Sequence, residues 1–347
     1  MITLDDDSTT VTSERHNLNY KFSRQYFDTL EMENNVITIS GDRSDKPIFN
    51  EIFTNNQSEI YFQIIKSYTY YCISNGVIPD ILEIRCYNKD NLLEKKYTRR
   101  SIRNLKPQKD ACQLKNIIKT KATVIFKATP ESNKYLYAMT TLIRSMCSDD
   151  SNDIFEKLWK SYNSIYRLLS SQSSESGCLA DMGIRMITRT MQFPLSVDAV
   201  KDLSSTDITS STRWRRMLEY KYITKCKPQN RENYLSEFLI KYSDTRLNEI
   251  AKLNIDLEKK PWTNSGLQAT TSNTIQSNIA ARTINDGEVI DALCNYYAYY
   301  LRNNTLHGDQ ADHSFRFIPD NKEERTLKFT SSILFAVVCD LINSHSI

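Results

Sequence analysis

The sequence predicts an α+β fold, in which a mixed α/β domain at residues 1–130 precedes an all-helical domain at residues 131–347. Three observations lead to this prediction. In the first region, short segments alternate apolar and polar residues, as half-buried strands do. In the second region, apolar residues recur every three or four positions, as they do on amphipathic helices. The chain of 347 residues holds only seven glycines and eight prolines. Because glycine and proline are common in tight turns, their scarcity favours a helix-rich architecture.

Each element of the first region is predicted from its local pattern. The first thirty residues are polar, and we expect them to be in part poorly ordered. Residues 36–40 (VITIS) predict a short strand, and isoleucines at helical spacing predict a helix over residues 58–74. Residues 80–87 and 122–128 alternate apolar and polar side chains, which predicts two further strands.

The second region begins at a helix-start signal. Thr129-Pro130-Glu131 combines a capping hydroxyl, a proline at the first helical position and an early acid. Apolar stripes after this signal predict a series of helices, separated by polar loops. Further helices are expected over 153–169, 211–224, 231–254 and the end of the chain, with loops over 170–177 and 262–277. Asn285 and Glu288 have the spacing of a capping box, which predicts one more helix start.

Composition excludes several classes of protein. The N-terminal segment is acidic and polar, without an apolar leader, and no apolar stretch approaches the roughly eighteen residues of a membrane span. The eight cysteines are widely spaced and form no CxxC pair, so we expect reduced thiols and no zinc site. These features predict a cytoplasmic protein that does not bind a membrane. The net charge of +3 does not decide whether nucleic acid is a partner.

The most informative segment is residues 296–313, YYAYYLRNNTLHGDQADH. A Tyr-rich helix is expected to end within it, because Asn303, Asn304 and Gly308 favour turns. Arg302 offers a fixed cationic fork for a phosphate, and His307 can move a proton near neutral pH. On a straight helix these two side chains would point about 140° apart. They converge only if the helix breaks between them, which the two asparagines allow.

The run from Arg302 to Gly308, RNNTLHG, resembles the RNxxxH form of the Rx4–6H motif of the HEPN superfamily. Residues 155–166, FEKLWKSYNSIY, resemble an early helix of that superfamily, and an amphipathic terminal helix suits its helical bundle. The resemblance covers about residues 130–347 and leaves the first 130 residues outside. It implies a metal-independent endoribonuclease of prokaryotic antiviral defence or toxin systems, with RNA as its substrate and no cofactor.

The resemblance also implies residue roles. Two protomers of such nucleases usually pair through the helical domain, so that their motifs face each other across a cleft that holds RNA. His307 would then move a proton while the ribose 2′-OH attacks the adjacent phosphate and leaves a 2′,3′-cyclic end. Arg302 would hold that phosphate as negative charge grows, and Asn303 would position it.

Three further residues are expected around this site, namely Asn163, Asn304 and Asp309. Asp309 stands two residues after His307, where some toxins of the superfamily have a tyrosine that a partner protein nucleotidylates. Control by that modification is therefore not expected, although a regulatory partner of another kind stays possible. The N-terminal domain is expected to sense a trigger or to recruit RNA.

Two basic stretches are predicted to contact RNA. Residues 94–121 hold ten lysines and arginines against two acids, and residues 213–231 hold seven against one. The second stretch interleaves Trp214, Tyr220 and Tyr222, and cations beside aromatic rings suit phosphates and stacked bases. The arginines expected to bind RNA are Arg99, Arg100, Arg103, Arg213, Arg215 and Arg216.

Three other interpretations of the motif stay open. His307-Gly308-Asp309 matches the HGD of kinases related to the aminoglycoside phosphotransferases, but Ser314 stands where those kinases have a metal-binding asparagine. His307, Asp309, Asp312 and His313 combine imidazoles and carboxylates that could bind a metal. A HEPN-like module could also bind RNA or a partner without cleaving it.

Overall fold

A computed structural model of the chain describes residues 1–6, 13–20, 23–42, 48–54, 58–257, 261–306 and 321–345. The chain divides into two compact units. The first unit comprises residues 1–168 together with 341–347, and the second comprises residues 169–340. All described strands belong to the first unit, and the described elements of the second unit are helical. The predicted α+β class, with a mixed N-terminal region followed by helices, is confirmed.

The first unit is built on an antiparallel sheet. Its described strands are β1 (Ile2–Leu4), β2 (Glu14–Tyr20), β3 (Ser23–Glu33), β4 (Val36–Ser40), β5 (Ile81–Tyr87) and β6 (Leu93–Thr98). They lie in the order β2-β3-β4-β1-β5-β6. Ile2 of β1 is buried and pairs with Ile37 of β4 and Ile84 of β5. Of the first thirty residues, which the sequence predicts to be in part poorly ordered, the described ones contribute to β1, β2 and β3, and Leu18 and Leu30 are buried in the core.

Helix α1 (Glu59–Asn75) contacts the strands of this sheet through polar side chains as well as apolar ones. The Tyr71 hydroxyl donates to Asp6 Oδ2 at 2.8 Å, and Gln63 Nε2 donates to the Leu18 carbonyl at 3.3 Å. The helix ends where Gly76 adopts a left-handed conformation, with φ of 65°, and its N–H donates to the Cys72 carbonyl. The predicted helix at 58–74 and the strands at 36–40 and 80–87 are confirmed to within a residue.

The strand predicted at residues 122–128 is wrong. The chain forms a short helix, α2 (Lys119–Ala122), followed by a 3₁₀ turn at Thr123–Phe126. Val124, Ile125 and Phe126 are all buried, which a half-exposed strand with alternating faces does not allow. A short apolar run does not distinguish a strand from a fully buried helical turn.

Helices make up the described chain from Pro130 onwards, apart from the loops that join them. They are α3 (Pro130–Ser145), α4 (Ser151–Leu169), α5 (Glu175–Thr188), α6 (Pro194–Val200), α7 (Ser205–Ser211), α8 (Trp214–Leu218), α9 (Arg231–Leu239), α10 (Thr245–Asn254), α11 (Ser265–Ala281), α12 (Asp286–Asp291), α13 (Ala298–Leu306) and α14 (Lys322–Asn343). The helix starts predicted at Thr129 and Asn285 are confirmed, because their side chains accept from the backbone N–H of Ser132 and Glu288 respectively.

The structure differs from several other predictions for this region. The loop expected at 262–277 is wrong, because most of it belongs to helix α11, of which only Thr271 and Ile275 are buried. The helix expected at 211–224 begins at Trp214, and the one expected at 231–254 is divided into two. A π-helical turn at Glu219–Thr224 follows α8, and α9 and α10 are separated where Asp244 caps the start of α10. Loop 170–177 is also shorter than expected, since α5 begins at Glu175.

One described helix, α14, is long and apolar enough to cross a membrane by length and composition. However, 72% of its most apolar stretch is buried within the folded chain, as in the core helix of a soluble protein. Near the end of α14, Asp340 accepts hydrogen bonds from the hydroxyl and the N–H of Ser196, at 2.6 and 2.8 Å. This contact joins α14 to the start of α6 inside the second unit.

Gly287 is required by the close packing of α12 against α5. A Cβ atom at this position would lie 2.5 Å from the Met186 carbonyl oxygen and 2.7 Å from Thr190 Oγ1. We expect Gly287→Ala to lower the free energy of unfolding by about 1–3 kcal/mol, because backbone must move to admit the methyl group. Urea denaturation would measure the loss.

Gly266→Ala is the matched control, because its Cβ would meet only Asn264 Oδ1, at 3.4 Å, in the first turn of α11. We expect this variant to be neutral or stabilised by up to about 1 kcal/mol, since alanine is the better helix former. Equal stability of the two variants would contradict the packing described for Gly287.

Candidate functional site

Helix α13 carries Arg302, Asn303 and Asn304 of the motif and follows directly on a π-helical turn at Ala292–Tyr297. Arg302 Nη1 donates to Asn303 Oδ1 at 3.0 Å and lies 3.8 Å from Glu175 Oε2. The Arg302 side chain is 26% exposed. Arg302 and Asn303 are therefore together near the carboxyl end of α13, with the guanidinium held in a partly buried position and still open to solvent.

Helix α13 runs through Asn303 and Asn304 to Leu306, so the break that the two asparagines allow does not occur at these residues. Both asparagines bond to side chains of the same helix. Asn303 accepts from Arg302, and Asn304 makes a side-chain hydrogen bond with Tyr300, one turn earlier. Their amides are thus occupied by helical neighbours rather than by a turn. His307 and Asp309, together with Asp312, His313 and Ser314, lie outside the described residues.

The second basic stretch lies beside α13. The backbone N–H of Arg213 donates to the Tyr297 hydroxyl at 2.6 Å, and Arg213 Nη2 lies 3.9 Å from Glu323 Oε2. Burial raises the pKa of Tyr300, while the Asn304 hydrogen bond and the charges of Arg213 and Arg216 partly offset that rise. The fold therefore brings these two arginines into the electrostatic neighbourhood of the motif helix, although about ninety residues separate them in the sequence.

Other residues of the second stretch differ from expectation. Trp214 and Tyr222 are only 5% and 3% exposed, and the Trp214 ring stacks on Tyr297. Little of these two side chains is therefore open to a stacked base, although Lys221 does lie over the Tyr222 ring, at 5.2 Å. The contact of this stretch with RNA stays a prediction. Arg215 is exposed and lies 3.4 Å from Glu219 one turn later on the surface.

The first basic stretch belongs to the first unit. Arg99, Arg100 and Arg103 are exposed, and they follow strand β6. Arg99 is ion-paired with Asp80 and lies 3.3 Å from Asp5. Part of the positive charge of this stretch is therefore neutralised locally. Its contact with RNA stays a prediction.

Asn163 lies on α4 in the first unit, where its Oδ1 accepts from Arg167 Nε at 2.6 Å. The aromatic residues of the same helix are core, as predicted, since Trp159, Tyr162 and Tyr166 are at most 2% exposed. A role for Asn163 beside the motif stays a prediction.

The structure also contains a cleft that the sequence indicated only in part. It has a volume of about 650 Å³ and lies in the second unit, between the two π-helical turns and the segment 225–241. Its lining includes four lysines, Lys221, Lys225, Lys227 and Lys241, and four aromatic rings, Tyr222, Tyr234, Phe238 and Tyr296. Three of these lysines belong to the second basic stretch. Lys241 lies outside that stretch and Tyr296 begins the segment 296–313, and no local signal in the sequence assigns either residue to the cleft.

Below this cleft, Asp291 is buried and fully engaged. Its Oδ2 accepts from Lys241 Nζ and from the Tyr242 hydroxyl, both at 2.7 Å, and its Oδ1 accepts from Asn295 at 2.7 Å. Asp291 thus anchors Lys241 at the cleft wall. Among the described residues, no three His, Cys, Asp or Glu side chains come together in a way that could hold a metal ion.

Comparisons with known proteins give no match to this chain, whether with protein-family models, curated proteins or solved structures. The candidate site therefore rests on its residues and their geometry. These comprise the Arg302–Asn303 pair on α13, the neighbouring Arg213 and Arg216, and His307, which follows Leu306 in the sequence.

Proposed function

We propose that this protein is a metal-independent endoribonuclease of the HEPN type, acting in the cytoplasm in antiviral defence or growth arrest. One observation carries the proposal. Arg302 and Asn303 are hydrogen-bonded to each other near the end of α13, a few residues before His307 in the sequence, and the charges of Arg213 and Arg216 act on Tyr300 of the same helix. A cluster of guanidinium groups, with a histidine that follows closely in the sequence, suits an RNA phosphate that changes its charge during reaction.

The reaction that fits these groups is an internal transfer at phosphorus. The ribose 2′-oxygen forms a bond to the adjacent phosphorus, and the bond from phosphorus to the 5′-oxygen breaks. The proton leaves the 2′-OH and one proton reaches the departing 5′-oxygen, with His307 moving it. Arg302 stabilises the negative charge that grows on the phosphate oxygens, and Asn303 holds the guanidinium in place.

A continuous helix would separate Arg302 and His307 by about 140°, so the proposal requires the chain to turn after Leu306 or a second protomer to complete the site. We propose a homodimer paired through the helical region, as the HEPN resemblance implies. The N-terminal sheet unit, with Arg99, Arg100 and Arg103 exposed on it, would then recruit RNA or respond to a trigger.

The proposal is tested by incubating the full-length protein with structured and unstructured RNAs in EDTA. We expect cleavage without metal and 2′,3′-cyclic phosphate at the product ends, identified by mass spectrometry. His307→Ala is expected to slow cleavage by about a hundredfold or more. His16→Gln is the control, because His16 lies in the sheet unit beside Tyr70 and Phe126. Cleavage that needs a divalent metal, or that leaves other product ends, would overturn the mechanism.

A second candidate, a module that binds RNA without cleaving it, is favoured by one observation. Arg302 already lies 3.8 Å from Glu175, an arrangement that a purely structural arginine also shows. Retained RNA binding with no cleavage of any RNA tested would support this second candidate.

A further inference from the structure

We propose that the cleft between the two π-helical turns is a nucleotide-binding site, in which lysines hold phosphate and aromatic rings hold the base. The cleft lies in the second unit and is lined by residues other than the motif residues of α13. Its volume of about 650 Å³ is within the usual range for small-molecule sites. Two π-helical turns, Glu219–Thr224 and Ala292–Tyr297, contribute to the cleft walls. Such turns are frequent at functional sites.

The cleft lining is predominantly positive, which favours an anionic ligand. Four lysines line it against a single glutamate, Glu237. The Lys241 amine is neutralised, because it bonds Asp291 at 2.7 Å and the Tyr296 hydroxyl at 2.8 Å. Lys221 differs, since within the described residues its amine has aromatic rings as neighbours and no carboxylate at ion-pair distance. The centroids of Tyr296 and Phe238 lie 4.5 and 4.9 Å from it.

Lys221 offers a positive charge to which an anion can bind. Its side chain is exposed at the cleft. Desolvation of the amine by the surrounding rings, together with repulsion from Lys241, lowers the pKa of Lys221 to about 8, so the amine is still mostly protonated at neutral pH. A bound phosphate would supply its counter-charge through charge-assisted hydrogen bonds.

The aromatic rings of the cleft lining favour a nucleotide over inorganic phosphate as the ligand. Tyr234 is 49% exposed at the cleft, so its face is available to a flat ligand. Stacking of a base on an aromatic side chain adds affinity whatever the base, because every base has a π-face. An anion that carries an aromatic ring uses both features of the lining, whereas phosphate alone uses one.

The nucleotide could be free or part of an RNA chain. Lys225, which lines the cleft, lies 5.3 Å from the Tyr220 ring, and Tyr220 contacts Tyr300 on α13 at 5.6 Å. The cleft is thus connected with the motif helix through two rings. An RNA strand bound at the motif could place one of its nucleotides in the cleft, and a free nucleotide would fit by the same contacts.

The test measures binding to the full-length chain carrying His307→Ala, so that RNA is not cut even if the proposed nuclease activity is real. Isothermal titration would compare inorganic phosphate, AMP and a short single-stranded RNA. We expect AMP to bind more tightly than phosphate. An RNA affinity similar to that of AMP would identify a free nucleotide as the ligand. An RNA affinity about tenfold higher or more, which Tyr234→Ala then lowers, would identify RNA in the cleft.

Two variants separate the contributions of ring and charge. Tyr234→Ala is expected to weaken AMP binding by about tenfold and to leave phosphate binding unchanged, and the exposed position of Tyr234 makes misfolding a minor concern. Lys221→Gln is expected to weaken both ligands. Lys252→Ala, an exposed lysine on α10 outside the cleft lining, is the control.

The proposal is overturned if AMP and RNA fail to bind at millimolar concentration. It is also overturned if AMP binds no better than phosphate, or if both cleft variants bind AMP as the Lys252→Ala control does. Because no cleavage is measured, loss of the proposed nuclease activity and loss of this site are independent results.

Discussion

Arg246→Met is expected to lower the free energy of unfolding of the second unit by about 3–5 kcal/mol, because it leaves a buried carboxylate without its cation. Arg246 and Asp244 are 7% and 0% exposed. Two nitrogens of the guanidinium bond both oxygens of Asp244, at 3.1 and 2.8 Å, and a third bond reaches Asp286 Oδ1 at 2.9 Å. Burial opposes the charge of Arg246, but these hydrogen bonds outweigh it and raise its pKa.

Several elements depend on this arginine. Arg246 Nη1 donates to the Val200 carbonyl at 3.0 Å, at the end of α6. Asp244 caps α10 and also accepts from the backbone N–H of Asn285, at 2.7 Å, where α12 begins. Methionine keeps much of the volume of arginine and none of its donors, so the variant isolates the loss of charge and hydrogen bonds from the loss of packing.

Arg215→Met is the matched control for Arg246→Met. Arg215 is 45% exposed and forms a surface pair with Glu219, so its replacement is expected to cost at most about 0.5 kcal/mol. Chemical denaturation followed by circular dichroism would compare the two variants. Similar stabilities would show that the buried network contributes no more than a surface pair.

The elements that the sequence predicts well are those whose ends are set by adjacent residues. Thr129 and Asn285 cap helices through residues three positions later, and this spacing is visible in the sequence itself. Strand 36–40 and helix 59–75 likewise have complete local patterns. In each case the information that determines the element lies inside it.

The elements that the sequence does not predict depend on distant residues. Helix α11 buries only Thr271 and Ile275, so its apolar stripe is too weak to recognise, although Asn264 caps its start. The turn at Thr123–Phe126 has the composition of a strand, and its complete burial is decided by the surrounding fold. The buried Arg246 network joins segments around 200, 244 and 286, and no local pattern in the sequence indicates that these segments meet.

The candidate site shows the same division. Arg302 and Asn303 are recognisable from a short motif, and Arg213 and Arg216 from a local excess of charge. Their proximity arises only in the folded chain, through contacts such as that between the Arg213 N–H and the Tyr297 hydroxyl. Lys241 reaches the cleft because Asp291, fifty residues away, holds its amine. A sequence can therefore name candidate residues without indicating which of them meet.

Arg302→Ala is expected to reduce RNA cleavage by about 10²–10³-fold, the usual effect of removing one group that stabilises charge in a transition state. The stability of the protein should change by less than about 1 kcal/mol, because Arg302 is partly exposed and its pairing with Glu175 is loose. Arg302→Lys should recover only part of the rate, since lysine restores the charge and lacks the planar fork.

The matched control for Arg302 is Arg189→Ala, an exposed arginine at the end of α5 in the same unit. Single-turnover cleavage in EDTA would be measured for all variants beside their melting temperatures. If Arg302→Ala lost activity only in proportion to lost folded protein, the arginine would be structural and the binding-module interpretation would gain support. A large loss of rate in a fully folded variant, with partial recovery by lysine, requires the guanidinium to act on the phosphate during reaction, because neither folding nor net charge alone accounts for that pattern.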